Sequence, residues 1–172
     1  MNYLKGTNLY LSGPIQYAED SYNWRTDPTK IFRESFGIEV FDPFEDPKQN
    51  WVPFLQKAQE NKDYQEIRRI AKQFVRKDLG KVDRCDFLVA YIPYKVPTSG
   101  TVHEIIESNN RKKPTLLVSN QNDISFIPAW YYGFIKIEFM FPNWTSLFNY
   151  LKEVDDGLHR SNDRWSFVYG DV

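Results

Sequence analysis

Residues 76–119, RKDLGKVDRCDFLVAYIPYKVPTSGTVHEIIESNNRKKPTLLVS, decide the fold. Phe87 to Ile92 is a nearly unbroken apolar and aromatic run, the pattern of a strand covered on both faces. Pro93, Pro97, Ser99 and Gly100 then break the chain into a loop. Thr101 is read as an N-cap, with Glu104 three residues later at capping-box spacing. Ile105 and Ile106 continue an amphipathic helix, which Arg111-Lys112-Lys113 and Pro114 bring to an end. Leu116-Leu117-Val118 is a second buried strand. Strand, helix, strand in this order demands a parallel pair with a crossover. Ligands of such sheets sit at the carboxyl ends of the strands, where the Pro97–Glu104 loop falls. Glu104 therefore has two readings: it closes a capping box, or it is a reactive carboxylate at the mouth of a site.

Working outward, Ile67, Ile70, Ala71, Phe74, Val75 and Leu79 form one apolar stripe of a helix over Ile67–Lys81. Asp78 is placed at its end, next to the negative pole of the dipole, where a carboxylate is unfavourable and a role beyond helix stability is implied. Leu9-Tyr10-Leu11 is a first strand ended by Ser12-Gly13-Pro14, and a glycine there lets a ligand approach the backbone. Gln16 to Asn23 is polar. A helix is expected to begin at Asp27 or Pro28 and to stop at Gly37. Arg25 is read as a solvated surface arginine, with a phosphate contact as the alternative. Ile38 to Phe41 is a second strand whose exit, Asp42-Pro43, lies at the ligand end of the sheet. Glu45–Glu66 reads as a loop with a short helix over the site. Ile135–Phe139 alternates like a strand with one exposed face, and Trp144–Val154 is a final helix.

With 172 residues the chain is expected to form one domain spanning 1–172, with a single core. The fold class is α/β, a Rossmann- or flavodoxin-like parallel sheet flanked by helices. A net charge of −1 gives no field that would draw it to a nucleic-acid polymer or a membrane. The longest apolar runs have strand length, and the N-terminus lacks a basic stretch before a long apolar run. The single Cys85 excludes an internal disulfide, fits a reducing compartment and reads as a buried, inert thiol. A cytoplasmic location is expected. His103 and His159 stand apart from other ligand types, so no metal is expected. No G-x-G-x-x-G follows the first strand, which disfavours a dinucleotide cofactor. Asn143-Trp144-Thr145 is a chance glycosylation match.

GTVHE at 100–104, the aspartate pair Asp78 and Asp86 before the strand, and YLSGPI at 10–15 together resemble the nucleoside 2-deoxyribosyltransferase superfamily. That group includes nucleoside deoxyribosyltransferases and nucleoside 5'-monophosphate N-glycosidases. The resemblance covers most of residues 8–133. It implies Glu104 as nucleophile, Asp78 as the group that exchanges a proton with the base, and Tyr10 as the residue that positions Glu104. It places Ser12, Gly13 and Pro14 under the sugar and the 5' end. Asp42 and Asp86 join the substrate-binding set, although Asp86 is also read as ordering the strand entrance. Gln49 or Asn50 is implied as an amide contact to the base. Thr98, followed by Ser99 and Gly100, stands where some transferases carry an acidic residue and monophosphate N-glycosidases a serine that meets the phosphate. Phe126–Trp130 resembles a segment reaching into a neighbouring subunit's site, and a homo-oligomer is implied. The tail from about 157–172 either docks on its own domain or lies at a subunit interface.

The expected function is cleavage of the N-glycosidic bond of 2'-deoxynucleosides or their 5'-monophosphates, with the deoxyribosyl group passed to water or to another base. The partner is then a small nucleoside or nucleotide, with no cofactor. Two alternatives stand beside it: a transferase restricted to free nucleosides, and a non-catalytic nucleotide-binding module of the same fold.

Overall fold

In the computed structural model, residues 2–15 and 23–170 are described; the polar stretch Gln16–Tyr22 lies outside them. Five strands form one sheet in the order β2-β1-β3-β4-β5, with every neighbouring pair parallel. The strands are β1 (Asn8–Ser12), β2 (Glu39–Phe41), β3 (Phe87–Ile92), β4 (Thr115–Ser119) and β5 (Met140–Phe141). This is the flavodoxin-like order, whose switch point between β1 and β3 opens a crevice at the carboxyl ends. Leu9, Leu11, Phe87, Val89, Leu116 and Leu117 are almost wholly buried, as strands covered on both faces require.

Helices cover both faces. On one, α1 (Asn23–Phe36) packs on α5 (Trp144–Asp155) through Phe32 against Trp144 and Phe148. On the other, α3 (Tyr64–Arg84) lies beside α4 (Ser99–Asn110). The segment before α3 is a 3-10 turn, Pro47–Trp51, running into α2 (Val52–Glu60). Among the described residues no helix is long and apolar enough to cross a membrane.

Four elements depart from the sequence expectation. Helix α1 begins at Asn23, ahead of Asp27 and Pro28, and carries Pro28 within it. Helix α3 does not stop at Lys81: Val82 extends the buried stripe and the helix runs to Arg84. Asp78 is therefore inside it, and its cost is not a dipole effect at the helix end. Helix α4 starts at Ser99, so Thr101 is not its cap; it sits buried in the first turn, and Glu104 closes no capping box. The alternating Ile135–Phe139 forms a turn and a short 3-10 segment, Ile137–Phe139, and pairing with β4 begins only at Met140. Asn143, the chance glycosylation position, caps α5: its Oδ1 accepts from the Ser146 N–H at 2.9 Å.

The aromatic tail is partly absorbed by its own domain. After α5 it forms a 3-10 turn and a four-residue helix, α6 (Ser166–Tyr169). Trp165 is fully buried, its ring 5.4 Å from that of Phe87, and its Nε1 donates to Tyr150 Oη at 2.8 Å. Tyr169 donates to the Val154 carbonyl at 2.8 Å.

Candidate active site

Alternation along β1 builds the site. Tyr10 and Ser12 are two apart and share the face toward α4, while Leu9 and Leu11 turn to the other. Glu104, one turn into α4, meets both hydroxyls. The Tyr10 hydroxyl donates to Oε1 at 2.6 Å, and the Ser12 hydroxyl donates to Oε2. Both carboxylate oxygens are thus held from a single strand, and Glu104 is only 8 % exposed. Burial pushes its carboxyl up to about 7; the two hydroxyls and Lys48 pull it down, and Asp78 pushes it further up. Burial also moves the Tyr10 phenol well above its usual range, so it remains a donor.

Glu104 forms the floor of a cleft of about 220 Å³, walled by Gly13, Pro14, Pro43, Asp78 and the Pro97–Thr101 turn. The cleft lies at the carboxyl ends of β1 and β3, on the switch point. The first N–H groups of α4 have no partner within the helix, and the Thr98 side chain makes no cap bond. Gly100 has open space where a side chain would stand. The glycine of the SGP turn has a different reason: a Cβ on Gly13 would clash with the six-membered ring of the Trp24 indole. Gly13 therefore admits Trp24, whose ring lies tilted against that of Tyr91 with centroids 4.6 Å apart.

Opposite Glu104, Asp78 projects from α3 into the same cleft. Burial raises its carboxyl above the ordinary value, against the lowering effect of Lys48, whose ammonium touches Oδ1. Lys48 is a residue the sequence hides, one basic side chain within a charged segment; yet it is only 4 % exposed. The local signal is Asp46-Pro47, a cap and an N1 proline: Asp46 Oδ1 accepts from the Lys48 N–H at 2.8 Å. Gln49 donates its amide to the Pro43 carbonyl at 2.8 Å, and Asn50 is exposed, so neither lines the cleft.

Two expected binding residues, Asp86 and Asp42, stand elsewhere. Asp86 lies at the amino end of β3, across the sheet from the cleft, where Oδ2 accepts from the Asn8 N–H at 2.7 Å. Asp42 leaves β2 on the right side but turns away, to Arg25 at 3.2 Å and to the Phe44 N–H at 2.9 Å. Arg25 is buried, not solvated; it also donates to the carbonyls of Gly13 and Pro14, at 3.0 and 3.3 Å. It braces the loop after β1 and does not face the cleft. Cys85 is buried, and burial pushes its thiol up to about 11, which keeps it protonated. Among the described residues no group of three His, Cys, Asp or Glu side chains could hold a metal ion.

A parallel sheet with a buried glutamate facing an aspartate across its switch-point crevice defines an α/β protein equipped for acid–base or covalent work on a small ligand. The model of the family "Nucleoside 2-deoxyribosyltransferase" matches residues 9–145, and the chain belongs to that family. Among solved structures it is similar to a 2-deoxyribosyltransferase from the psychrotolerant bacterium Bacillus psychrosaccharolyticus, at 20% sequence identity and a TM-score of 0.58. That match covers 83% of this chain and 91% of the other. No curated protein matches the sequence.

Proposed function

We propose that the protein cleaves the N-glycosidic bond of 2'-deoxynucleosides or their 5'-monophosphates through a covalent deoxyribosyl–Glu104 intermediate. The observation that carries this reading is the buried Glu104 carboxylate, gripped on both oxygens and open to the cleft. Bond breaking develops positive charge at C1' and negative charge on the departing base. A carboxylate below C1' bonds to the sugar while an acid beyond it protonates the base, the division of labour of retaining glycosidases. Asp78, raised by burial and lining the same cleft, is the acid. Tyr10 and Ser12 hold the nucleophile in one rotamer, and Ser12 thus acts on Glu104 before it acts on the sugar.

The 5' end falls to the start of α4. Thr98 and Ser99 offer hydroxyls, Gly100 leaves the backbone open, and the helix N-terminus favours an anion. No acidic side chain stands in this turn before Glu104, which supports monophosphates over free nucleosides. Neither Ser12 nor Arg25 is available to share that phosphate, since both are engaged elsewhere. Beyond Thr98 the cleft continues into an apolar groove of about 790 Å³. Phe126 and Trp130 line it, Trp130 being 78 % exposed. A second copy of the chain covering this groove would seal the 5' end, and the protein acts as a homo-oligomer in this reading.

The decisive experiment incubates the protein with deoxynucleosides and their 5'-monophosphates, with and without an acceptor base. Free base alone identifies water as acceptor, and exchanged nucleoside identifies a second base. Absence of both with every substrate would leave a nucleotide-binding module.

A further inference from the structure

The turn Pro47–Trp51 is built to aim one lysine inward. Asp46 caps it, Pro47 opens it, and Gln49 ties it back to the Pro43 carbonyl. The Lys48 chain passes over the Phe74 ring, with the ammonium 5.8 Å from its centroid, and ends against Asp78 Oδ1. Withdrawing an ammonium from water is costly unless a partner offsets it, and tethering a turn needs no such burial. A lysine serving only as a tether could pair at the surface, as Lys152 does with Asp156. The cost is spent on the cleft carboxylate.

We propose that Lys48 is a positioning residue that tunes Asp78 as the acid for the departing base, holding its conjugate carboxylate by direct ammonium contact. The inference rests on the roles given above to Glu104 and Asp78. In the first half-reaction the bond from C1' to the base nitrogen breaks and its electron pair stays on the base. The Asp78 proton moves to the base, and C1' bonds to a Glu104 oxygen. Asp78 is left as an anion, and Lys48 is already in place to stabilise it. In return of the sugar to a second base, the same anion takes the proton of the incoming N–H. A carboxyl without Lys48 would keep its proton too well to give it up and would regain it too readily.

The titratable groups around Asp78 are Lys48 and Asp46 from the turn segment, Lys77 from α3, and Tyr10 and Glu104 across the cleft. Around Glu104 are the Tyr10 and Ser12 hydroxyls from β1, the charged groups Asp78 and Lys48, and the charge of Arg25 from α1, outside the cleft. Loss of the Lys48 charge therefore strengthens proton binding at both carboxyls. Activity needs Glu104 ionised and Asp78 protonated, so both limbs of the pH profile move to higher pH.

The test compares the wild type with Lys48→Met and Lys48→Arg. Substrates are 2'-deoxyguanosine, its 5'-monophosphate and the N7-methylated form of each, whose cationic base departs without a proton. Lys48→Met is expected to lower kcat on the unmethylated compounds by about tenfold to a hundredfold, the range of an acid–base contribution. On the methylated compounds its loss should be at least about tenfold smaller, with Lys48→Arg restoring the rate and the pH limbs. Equal losses on both substrate types, or limbs that stay in place, would reduce Lys48 to a tether of the turn. A wild type that releases base neither from these four compounds nor from any deoxynucleoside or monophosphate of the assay above would instead overturn the roles of Glu104 and Asp78 themselves.

Discussion

The two ends of the sheet use the same residue types in opposite ways. At the amino end, charged side chains satisfy main chain. Asp86 accepts the Asn8 N–H, Asp155 accepts the Leu4 N–H at 2.8 Å, and Lys113 donates to the carbonyls of Val82, Asp83 and Cys85 where α3 ends. At the carboxyl end, Glu104 and Asp78 are met by hydroxyls and an ammonium. A backbone partner is fixed by the fold and makes a carboxylate structural. A side-chain partner tunes a carboxylate that faces a cleft, and leaves its protonation state free to serve chemistry.

The contrast breaks most visibly at Glu104. Glu104→Gln should lower base release by at least about a hundredfold, as expected for a missing covalent group. It should also stabilise the fold. A carboxyl whose folded value is raised to about 7 from 4.5 favours the fold below 4.5 and loses that contribution as pH rises through about 7. The glutamine variant should therefore melt higher than wild type above neutrality and about equally near pH 5. A glutamine variant with wild-type turnover would make Glu104 a structural residue like Asp86.

Next in size are the donors to Glu104. Tyr10→Phe and Ser12→Ala each remove a hydrogen bond to the charged form, worth about 1.5–3 kcal/mol. The Glu104 carboxyl then rises, and the acid limb of the rate profile moves to higher pH, with about tenfold loss below neutrality. An unmoved limb would mean that the hydroxyls only pack.

Thr98→Asp places a charge at the entrance of α4. The ratio of kcat/KM for deoxynucleoside monophosphate over deoxynucleoside should fall by about tenfold, equivalent to about 1.4 kcal/mol. Steady-state kinetics on paired substrates that show no change would move the phosphate elsewhere and favour free nucleosides.

The smallest effect belongs to the amino end. Asp86→Asn weakens one exposed contact to β1 and should cost about 1 kcal/mol of stability, read by urea unfolding, without altering kcat. A kcat loss at unchanged stability would return Asp86 to the substrate.

Three strands were legible because buried parallel strands are apolar on both faces, and Phe87–Ile92 or Leu116–Val118 can hardly be anything else; the edge strand β2, half-exposed, is marked instead by the Asp42-Pro43 exit. Glu104 and Asp78 were visible through motifs. Their physical reasons were misplaced: Thr101 and Glu104 fit a capping box by spacing, but the turn after Pro97 lets α4 begin three residues earlier. Asp78 looked like a helix end because the polar positions around it mask Val82, which keeps the stripe going. Lys48 and Arg25 were obscure for one reason. Their partners, Asp78 and Asp42, are 30 and 17 positions away, and burial of a lone basic residue leaves no periodic trace. Ile135–Phe139 alternates correctly for a strand, yet only Met140 and Phe141 reach the β4 edge.

The bond between Tyr10 and Glu104 joins positions 94 apart in the chain. Its closure requires β1 to sit beside β3 in register and α4 to be folded back on that pair. No local fragment contains the pair, and loops of this length close late relative to helices and hairpins. The hydroxyl–carboxylate contact is thus a latch on the finished topology. On refolding from denaturant, helical signal should return ahead of it, and competence at the cleft should return only with the completed sheet.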